Sequence, residues 1–82
     1  MFYFYILKCG DKSLYCGYAK NLKQREMDHN SGKGSKYVLS RDGGKIIYFE
    51  KFKTLSEVLR REAEVKSWTR LKKLQLIKPS IG

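Results

Sequence analysis

The sequence is poor in cysteine and histidine and contains no long apolar run. Its 82 residues include two cysteines and one histidine, which make a poor zinc site at this spacing. Because there is no framework of paired cysteines, we expect a reducing, cytoplasmic location. A helix that spans a bilayer needs about 20 apolar residues, and no stretch approaches that length. We therefore expect no membrane segment and no signal peptide of the usual layout.

Acidic residues are also scarce. Eight Asp and Glu stand against 18 Lys and Arg, for a net charge of +10. A charge of this sign and size favours an anionic partner, first a nucleic acid and second a membrane surface. The chain has no internal repeat and no linker, and a domain this small buries only about 60% of its unfolded surface. We expect one domain over residues 1–82 with a thin core.

The segment Phe2–Tyr18 has the composition of a β-hairpin, with strand-forming residues on both sides of a turn at Gly10–Lys12. In the register that this turn sets, Tyr5 faces Gly17, and side chains alternate between the two sides of the sheet. Tyr5 and Tyr15 then share one face, and the missing side chain of Gly17 leaves space beside them. This predicts a shallow site. The alternative is ordinary cross-strand packing of aromatic residues.

A third strand is predicted over Lys45–Phe52. A helix separates it from the hairpin, and the first strand is the most apolar of the three. We therefore expect the first strand in the centre of the sheet, which gives the strand order 2-1-3. In the hairpin register Cys9 and Cys16 face opposite sides of the sheet, so they cannot form a disulfide.

The segment after the hairpin is predicted to form a helix over residues 22–30. Asn21 followed three residues later by Gln has the pattern of a capping box. Arg25 and His29 are four residues apart and project from one face. If Leu22 on nearly the same side marks the face turned toward the sheet, both polar residues point partly inward. The alternative is a solvated helix whose polar residues are incidental.

A basic loop is predicted at residues 31–36, with the sequence SGKGSK. It lacks the first glycine and the preceding strand of a phosphate-binding P-loop, which excludes a nucleotide site of that kind. Its backbone amides and lysines can still meet the phosphates of a nucleic acid. The candidate phosphate-binding residues are Lys33, Lys36 and Arg41.

The longest predicted helix is Leu55–Ser67. Glu62 falls within its apolar stripe, four residues after Val58 and three before Val65. Because an unpaired buried carboxylate is costly, Glu62 requires a cation. Arg25, a lysine or a metal ion can supply that charge. The alternative is a structural ion pair, or a carboxylate that turns to the rim of the core.

A last short helix is predicted after Thr69, which can cap it, and Pro79 ends it. Its apolar residues at helical spacing are Leu71, Leu74 and Ile77. We expect them to dock against the core.

Taken together, these residues resemble the GIY-YIG nuclease superfamily in order and spacing. Tyr3-Phe4-Tyr5 stands where the family motif reads G-I-Y, and Tyr15-Cys16-Gly17 stands where it reads Y-I-G. The resemblance extends over essentially the whole chain and is closest to the small stand-alone members. It implies an α+β fold, with a three-stranded antiparallel sheet flanked by helices.

The resemblance also implies a role for each candidate site residue. Tyr5 and Tyr15 match the two motif tyrosines, Arg25 matches the helix arginine, and His29 matches a position that holds His or Tyr. Glu62 matches the metal-binding glutamate. The implied activity is cleavage of a phosphodiester bond that depends on a divalent metal.

On this basis we expect an endonuclease that prefers DNA to RNA and uses one Mg²⁺ or Mn²⁺ held by Glu62. Arg25 is expected to bind the phosphate oxygens. The general base stays open among Tyr5, Tyr15 and His29. One alternative is a basic nucleic-acid-binding module without catalysis, and another is a protein-interaction domain. A protein partner or weak self-association stays open.

Overall fold

The computed structural model describes residues 1–34 and 36–77, which form three strands and four helices. The strands are β1 (Phe2–Cys9), β2 (Leu14–Ala19) and β3 (Gly44–Phe52). The helices are α1 (Leu22–Ser31), α2 (Lys36–Ser40), α3 (Leu55–Lys66) and α4 (Arg70–Ile77). None of these helices is long and apolar enough to cross a membrane.

The three strands form one antiparallel sheet in the order β2-β1-β3. The predicted α+β class, strand order and hairpin register are confirmed, because Tyr5 lies opposite Gly17 and Leu7 opposite Tyr15. The hairpin closes through backbone hydrogen bonds. The Cys9 N–H donates to the Ser13 carbonyl at 2.8 Å, next to a turn in which Lys12 has a φ of 73°.

A small core lies on each side of the sheet, as the alternation of side chains requires. One core contains Tyr5, Leu7, Cys9, Ala19 and Val38, and it lies under α1 and α2. The other contains Phe4, Ile6, Cys16, Val58 and Val65, and it lies under α3. The two cysteines are free and buried on opposite sides, as predicted.

Helix α1 begins and ends as its sequence predicts, within one residue. The Asn21 side chain accepts a hydrogen bond from the Gln24 N–H at 2.9 Å. The helix ends at Gly32, whose φ of 88° suits a glycine. The buried residue of this otherwise polar helix is His29, so the packing that fixes α1 to the sheet includes a candidate site residue.

Helix α2 was not predicted, and it begins at the last residue of the stretch that the sequence indicates as a basic loop. Lys36 begins it, and Val38 is its buried residue. The helix has five residues, fewer than two turns, so its sequence has no apolar periodicity that could be recognised.

Helix α3 has the capping box expected from its sequence, with reciprocal hydrogen bonds between Thr54 and Glu57. Helix α4 packs only partly as predicted. Ile77 packs against the core as expected and Leu76 joins it there, but Leu71 and Leu74 are exposed. Only the last turn of α4 reaches the core, so helical spacing along the whole segment misled the prediction. Pro79 lies outside the residues that the structure describes.

Candidate active site

A cleft of about 610 Å³ opens beside β2 and is lined from both helical layers. Because β2 is an edge strand, the cleft passes this edge of the sheet. It contains the six residues that the sequence analysis singled out for a site on the hairpin, α1 and α3: Tyr5, Tyr15, Gly17, Arg25, His29 and Glu62. Chain segments far apart in sequence thus contribute to one concave surface.

Tyr5 and His29 form a buried hydrogen-bonded pair at the base of the cleft. The Tyr5 hydroxyl lies 2.7 Å from His29 Nε2, and each residue is only 2% exposed. Their rings meet edge to face, with centroids 5.9 Å apart. The pair connects the central strand to α1, so the fold itself fixes the position of the hydroxyl.

Burial sets the protonation of this pair. Burial raises the pKa of Tyr5 far above its ordinary value, the neighbouring Tyr15 adds to the rise, and Arg25 opposes it. Burial lowers the pKa of His29, and the Arg25 guanidinium lowers it further. At neutral pH the pair therefore consists of a protonated phenol and a neutral imidazole.

The glycine of the hairpin is required by Tyr5. A Cβ built on Gly17 would lie 2.6 Å from the Tyr5 hydroxyl oxygen and 2.8 Å from Cζ. The space that the sequence analysis assigned to a shallow site is therefore filled by the phenol. Gly17 allows Tyr5 to lie across the β-ladder toward His29.

Tyr15 lies nearer to solvent and forms part of a stack of aromatic rings. Its ring centroid is 5.2 Å from that of His29, and on another side it stacks on Tyr37 at 5.9 Å with an interplanar angle of 26°. Arg41 lies over the Tyr37 ring at 4.6 Å. Tyr37 could not be predicted as part of this cluster, because nothing in the local sequence pattern revealed α2, which carries it.

Arg25 and Glu62 approach the cleft from opposite layers. Arg25 is half-buried, and within residues 1–34 and 36–77 no carboxylate forms an ion pair with it. The Glu62 side chain is 16% exposed, and its Oε2 lies 3.3 Å from Lys66 Nζ. A lysine was one of the cations predicted to accompany Glu62, and Lys66, one turn further along α3, is in that position.

The donor set at Glu62 fits a hard divalent cation that keeps most of its water ligands. The described part of the chain contains no group of three or more His, Cys, Asp or Glu side chains that could hold a metal ion. Mg²⁺ commonly binds through one or two carboxylates and several waters, whereas zinc requires three or four protein ligands. A single carboxylate at the wall of an open cleft suits an ion such as Mg²⁺ better than it suits zinc.

The three predicted phosphate-binding residues do not line this cleft. Lys33, just before α2, and Lys36, its first residue, are exposed. Arg41 donates a hydrogen bond to Asp11 at 2.7 Å. The pKa of Asp11 is lowered to about 2, mainly by the hydrogen bond from the Ser13 side chain and next by the one from Arg41. Arg41 thus fastens α2 to the hairpin turn, a contact that the sequence did not indicate.

The sheet order, the flanking helices and the hairpin tyrosines together define a small α+β protein with a cleft at one edge of its sheet. The chain belongs to the GIY-YIG family, because the model for the GIY-YIG catalytic domain matches residues 1–75. The predicted resemblance is therefore confirmed.

Similar proteins carry the name UPF0213. One from Staphylococcus saprophyticus is 51% identical over 75 residues, which is 92% of each chain. One from Staphylococcus aureus strain Mu3 is 51% identical over 74 residues, 90% of each chain. The solution NMR structure of a UPF0213 protein from Bacillus halodurans is 41% identical, with a TM-score of 0.60 over 94% of this chain and 83% of that one. These names state no activity.

Proposed function

We propose that this protein is an endonuclease that hydrolyses phosphodiester bonds of nucleic acid with a divalent metal ion, and that it acts on DNA in the cytoplasm. One observation carries the proposal. A buried tyrosine–histidine pair, an arginine without an ion-pair partner in the described chain and a carboxylate line a single cleft. The net charge of +10 suits the polyanionic substrate.

Glu62 would hold the metal, either Mg²⁺ or Mn²⁺, with water completing the coordination. When bound, the ion supplies Lewis-acid polarisation of the phosphate and stabilises the leaving oxygen. Lys66, 53% exposed and 3.3 Å from the Glu62 carboxylate, would hold the side chain in place until the ion binds. Its flexible stem lets it move aside.

Arg25 would bind the non-bridging oxygens of the phosphate. A planar guanidinium can donate two parallel hydrogen bonds to a phosphate, which a lysine ammonium cannot do. Its position in the cleft wall, half-buried and unpaired by acids within the described ranges, leaves that fork available. The pairing strengthens as charge develops in the transition state, so Arg25 contributes to the rate as well as to binding.

The Tyr5–His29 pair would activate the attacking water. A phenol whose pKa is raised by burial does not ionise by itself at neutral pH. With neutral His29 2.7 Å away, however, Tyr5 can pass its own proton to Nε2 as it takes one from water. The resulting hydroxide attacks phosphorus, and the phosphorus–oxygen bond to the leaving group breaks. Tyr15, nearer to solvent, is the alternative base.

The exposed lysines Lys33 and Lys36 and the paired Arg41 would contact phosphates away from the cut. Such contacts position a duplex or strand without reading its sequence.

The test is cleavage of labelled DNA and RNA substrates with Mg²⁺, Mn²⁺ or EDTA, using the wild type and Glu62→Gln. We expect metal-dependent cutting that falls by about a hundredfold or more in Glu62→Gln, with affinity for nucleic acid retained. The matched control is Glu64→Gln. It removes a carboxylate on the same helix that is 54% exposed and pairs with Arg61 outside the cleft, so it should cut normally.

Equal cutting by the wild type and Glu62→Gln would overturn the metal assignment. If nucleic acid binds but is not cut under any condition, the protein is a binding module with an idle site. Comparable cutting of RNA would overturn the choice of DNA.

A further inference from the structure

A second cleft adjoins the candidate active site on the same side of the sheet. It has a volume of about 490 Å³ and is lined by Tyr3, Lys20, Asn21, Leu22, Phe49 and Lys51. Lys20 also lines the first cleft, so the two concavities share a wall. We infer that the second cleft binds an unpaired nucleotide next to the phosphodiester bond that is cut. The position of that bond depends on the proposed function, but the binding of the nucleotide does not.

The sheet register places the aromatic residues of this cleft beside the catalytic ones. Tyr5 lies opposite Phe49 on β3, and Tyr3 lies opposite Lys51. These four side chains therefore share one face of the sheet. α1 covers Tyr5 through His29, whereas Phe49 remains 55% exposed. The helix thus covers one part of this face and leaves the neighbouring part open.

Phe49 forms a ready-made surface for a nucleobase. The Tyr3 ring meets it edge to face, with centroids 5.9 Å apart and planes at 69°, a favoured arrangement for aromatic pairs. The contact holds the ring while more than half of the residue stays open to solvent. Exposed aromatic rings in basic grooves are the usual platforms for bases of single strands.

The charges around the cleft favour a nucleic acid strand over an apolar peptide or a second copy of this chain. Lys20 and Lys51 are both exposed. No Asp or Glu from the described part of the chain lines the cleft. Lys20 Nζ lies 5.4 Å above the ring of Phe2, a residue that lines the first cleft. A cation is therefore held at the junction where a strand would pass from one cleft into the other.

The experiment measures binding in EDTA, so that cleavage plays no part. The probe is a fluorescein-labelled single-stranded DNA of about 12 nucleotides, the span that small basic grooves occupy. We expect Phe49→Leu, which keeps an apolar side chain but removes the ring, to bind roughly tenfold more weakly. Phe49→Tyr should bind as the wild type does. Leu71→Ala, which removes a side chain 68% exposed on α4, is the matched control and should change nothing.

A scan of single abasic sites along the probe tests the stacking itself. At one position, removal of the base should weaken binding to the wild type by the same factor as the Phe49→Leu substitution does. The same removal should not weaken binding to Phe49→Leu any further. Lys51→Ala should reduce the slope of log affinity against log salt concentration by an amount that corresponds to about one released counterion. Lys8→Ala removes an exposed lysine on the other face of the sheet and should leave the slope unchanged.

Equal affinity of Phe49→Leu and the wild type would overturn the inference, as would equal coupling of Phe49 to every base. A dimer of the wild type that Phe49→Leu converts to a monomer would overturn it in favour of self-association. The inference stands if base-specific coupling occurs without any cleavage, although the proposed function then fails. If cleavage occurs without any effect of Phe49, the inference fails and the proposed function stands.

Discussion

At the scale of single residues, the burial of Tyr5 and His29 sets the protonation state of both groups. The same burial that raises the pKa of the phenol lowers the pKa of the imidazole. Both groups therefore stay neutral, and one hydrogen bond joins them. Two neutral groups 2.7 Å apart can exchange a proton without leaving an unpaired buried charge in the resting state. Arg25, at the wall of the cleft, favours the neutral imidazole in the resting state.

This arrangement depends on Gly17. We expect Gly17→Ala to be less stable than the wild type by about 1–3 kcal/mol, the usual cost of forcing an extra carbon into a packed region. The added Cβ would meet the Tyr5 hydroxyl at 2.6 Å and would displace it from His29. Urea unfolding measures the stability, and the rate of cleavage should fall together with it.

The matched control for Gly17 is Ser13→Ala, a change on the same hairpin outside the cleft, which should leave the rate of cleavage unaltered. Native stability and native activity in Gly17→Ala would contradict the role assigned to the glycine.

The register of the hairpin made part of this site predictable. Two aromatic runs around a short turn were enough to place Tyr5 opposite Gly17. The hydrogen bond between Tyr5 and His29 could not be predicted from the sequence, because it depends on the distance between α1 and the sheet. Tyr37 was missed for a related reason, since its stack on Tyr15 depends on where α2 packs.

At the scale of elements, a network of charged side chains joins β3 to α3. Arg61 forms two parallel hydrogen bonds to Glu50, Nε to Oε1 at 2.8 Å and Nη2 to Oε2 at 2.9 Å, and the Tyr48 hydroxyl donates to the same carboxylate. Both charged side chains are 22% exposed. The network fixes the helix that carries Glu62 against the sheet, although none of its members lines the first cleft.

We expect Glu50→Gln to lose stability in a manner that depends on pH. Burial alone would raise the pKa of Glu50, but the hydrogen bonds from Arg61 and Tyr48 outweigh it, so the pKa lies below its ordinary value. A lowered pKa stabilises the fold fully above the unfolded value of about 4.3, and the contribution is lost as the pH falls through the folded value. Relative to the wild type, Glu50→Gln should be less stable by about 2 kcal/mol near neutral pH.

The difference between Glu50→Gln and the wild type should shrink as the pH falls below the unfolded value of about 4.3 and through the lowered folded value, as measured by urea unfolding from neutral to acidic pH. Glu64→Gln, which removes the more exposed partner of the same arginine, should have a small effect at every pH. A difference for Glu50→Gln that is independent of pH would show that the lost contacts, and not the charge, account for the change.

The helices differ in how well their sequences predicted them. α1 and α3 have capping residues whose side chains accept backbone N–H groups, and such caps can be recognised without knowledge of the fold. The packing of α4 was predicted correctly for Ile77 but incorrectly for Leu71 and Leu74, which satisfy helical spacing yet remain exposed. Its position depends on how far the helix extends beyond the edge of the core, and apolar spacing contains no information on that distance.

At the scale of the whole molecule, the charge of +10 predicts a polyanionic partner but not the surface that binds it. The exposed lysines near α2, Lys33 and Lys36, are predicted phosphate contacts. Arg41 is already paired with Asp11, so its charge is partly cancelled. Variants of these three residues can therefore distinguish binding through specific contacts from attraction by the overall electrostatic field of the protein.

We expect Lys33→Ala and Lys36→Ala each to reduce the slope of log affinity against log salt concentration by about 0.7–0.9, the release of one counterion. Arg41→Ala should reduce it less, because Asp11 already cancels part of the charge that Arg41 can offer to a phosphate. Lys8→Ala, on the far face of the sheet, is the control and should leave the slope unchanged. Titration of a labelled DNA at several salt concentrations measures all four. Equal reductions in every variant would mean that net charge alone attracts the nucleic acid, and absence of affinity even at low salt would instead favour a protein-interaction domain.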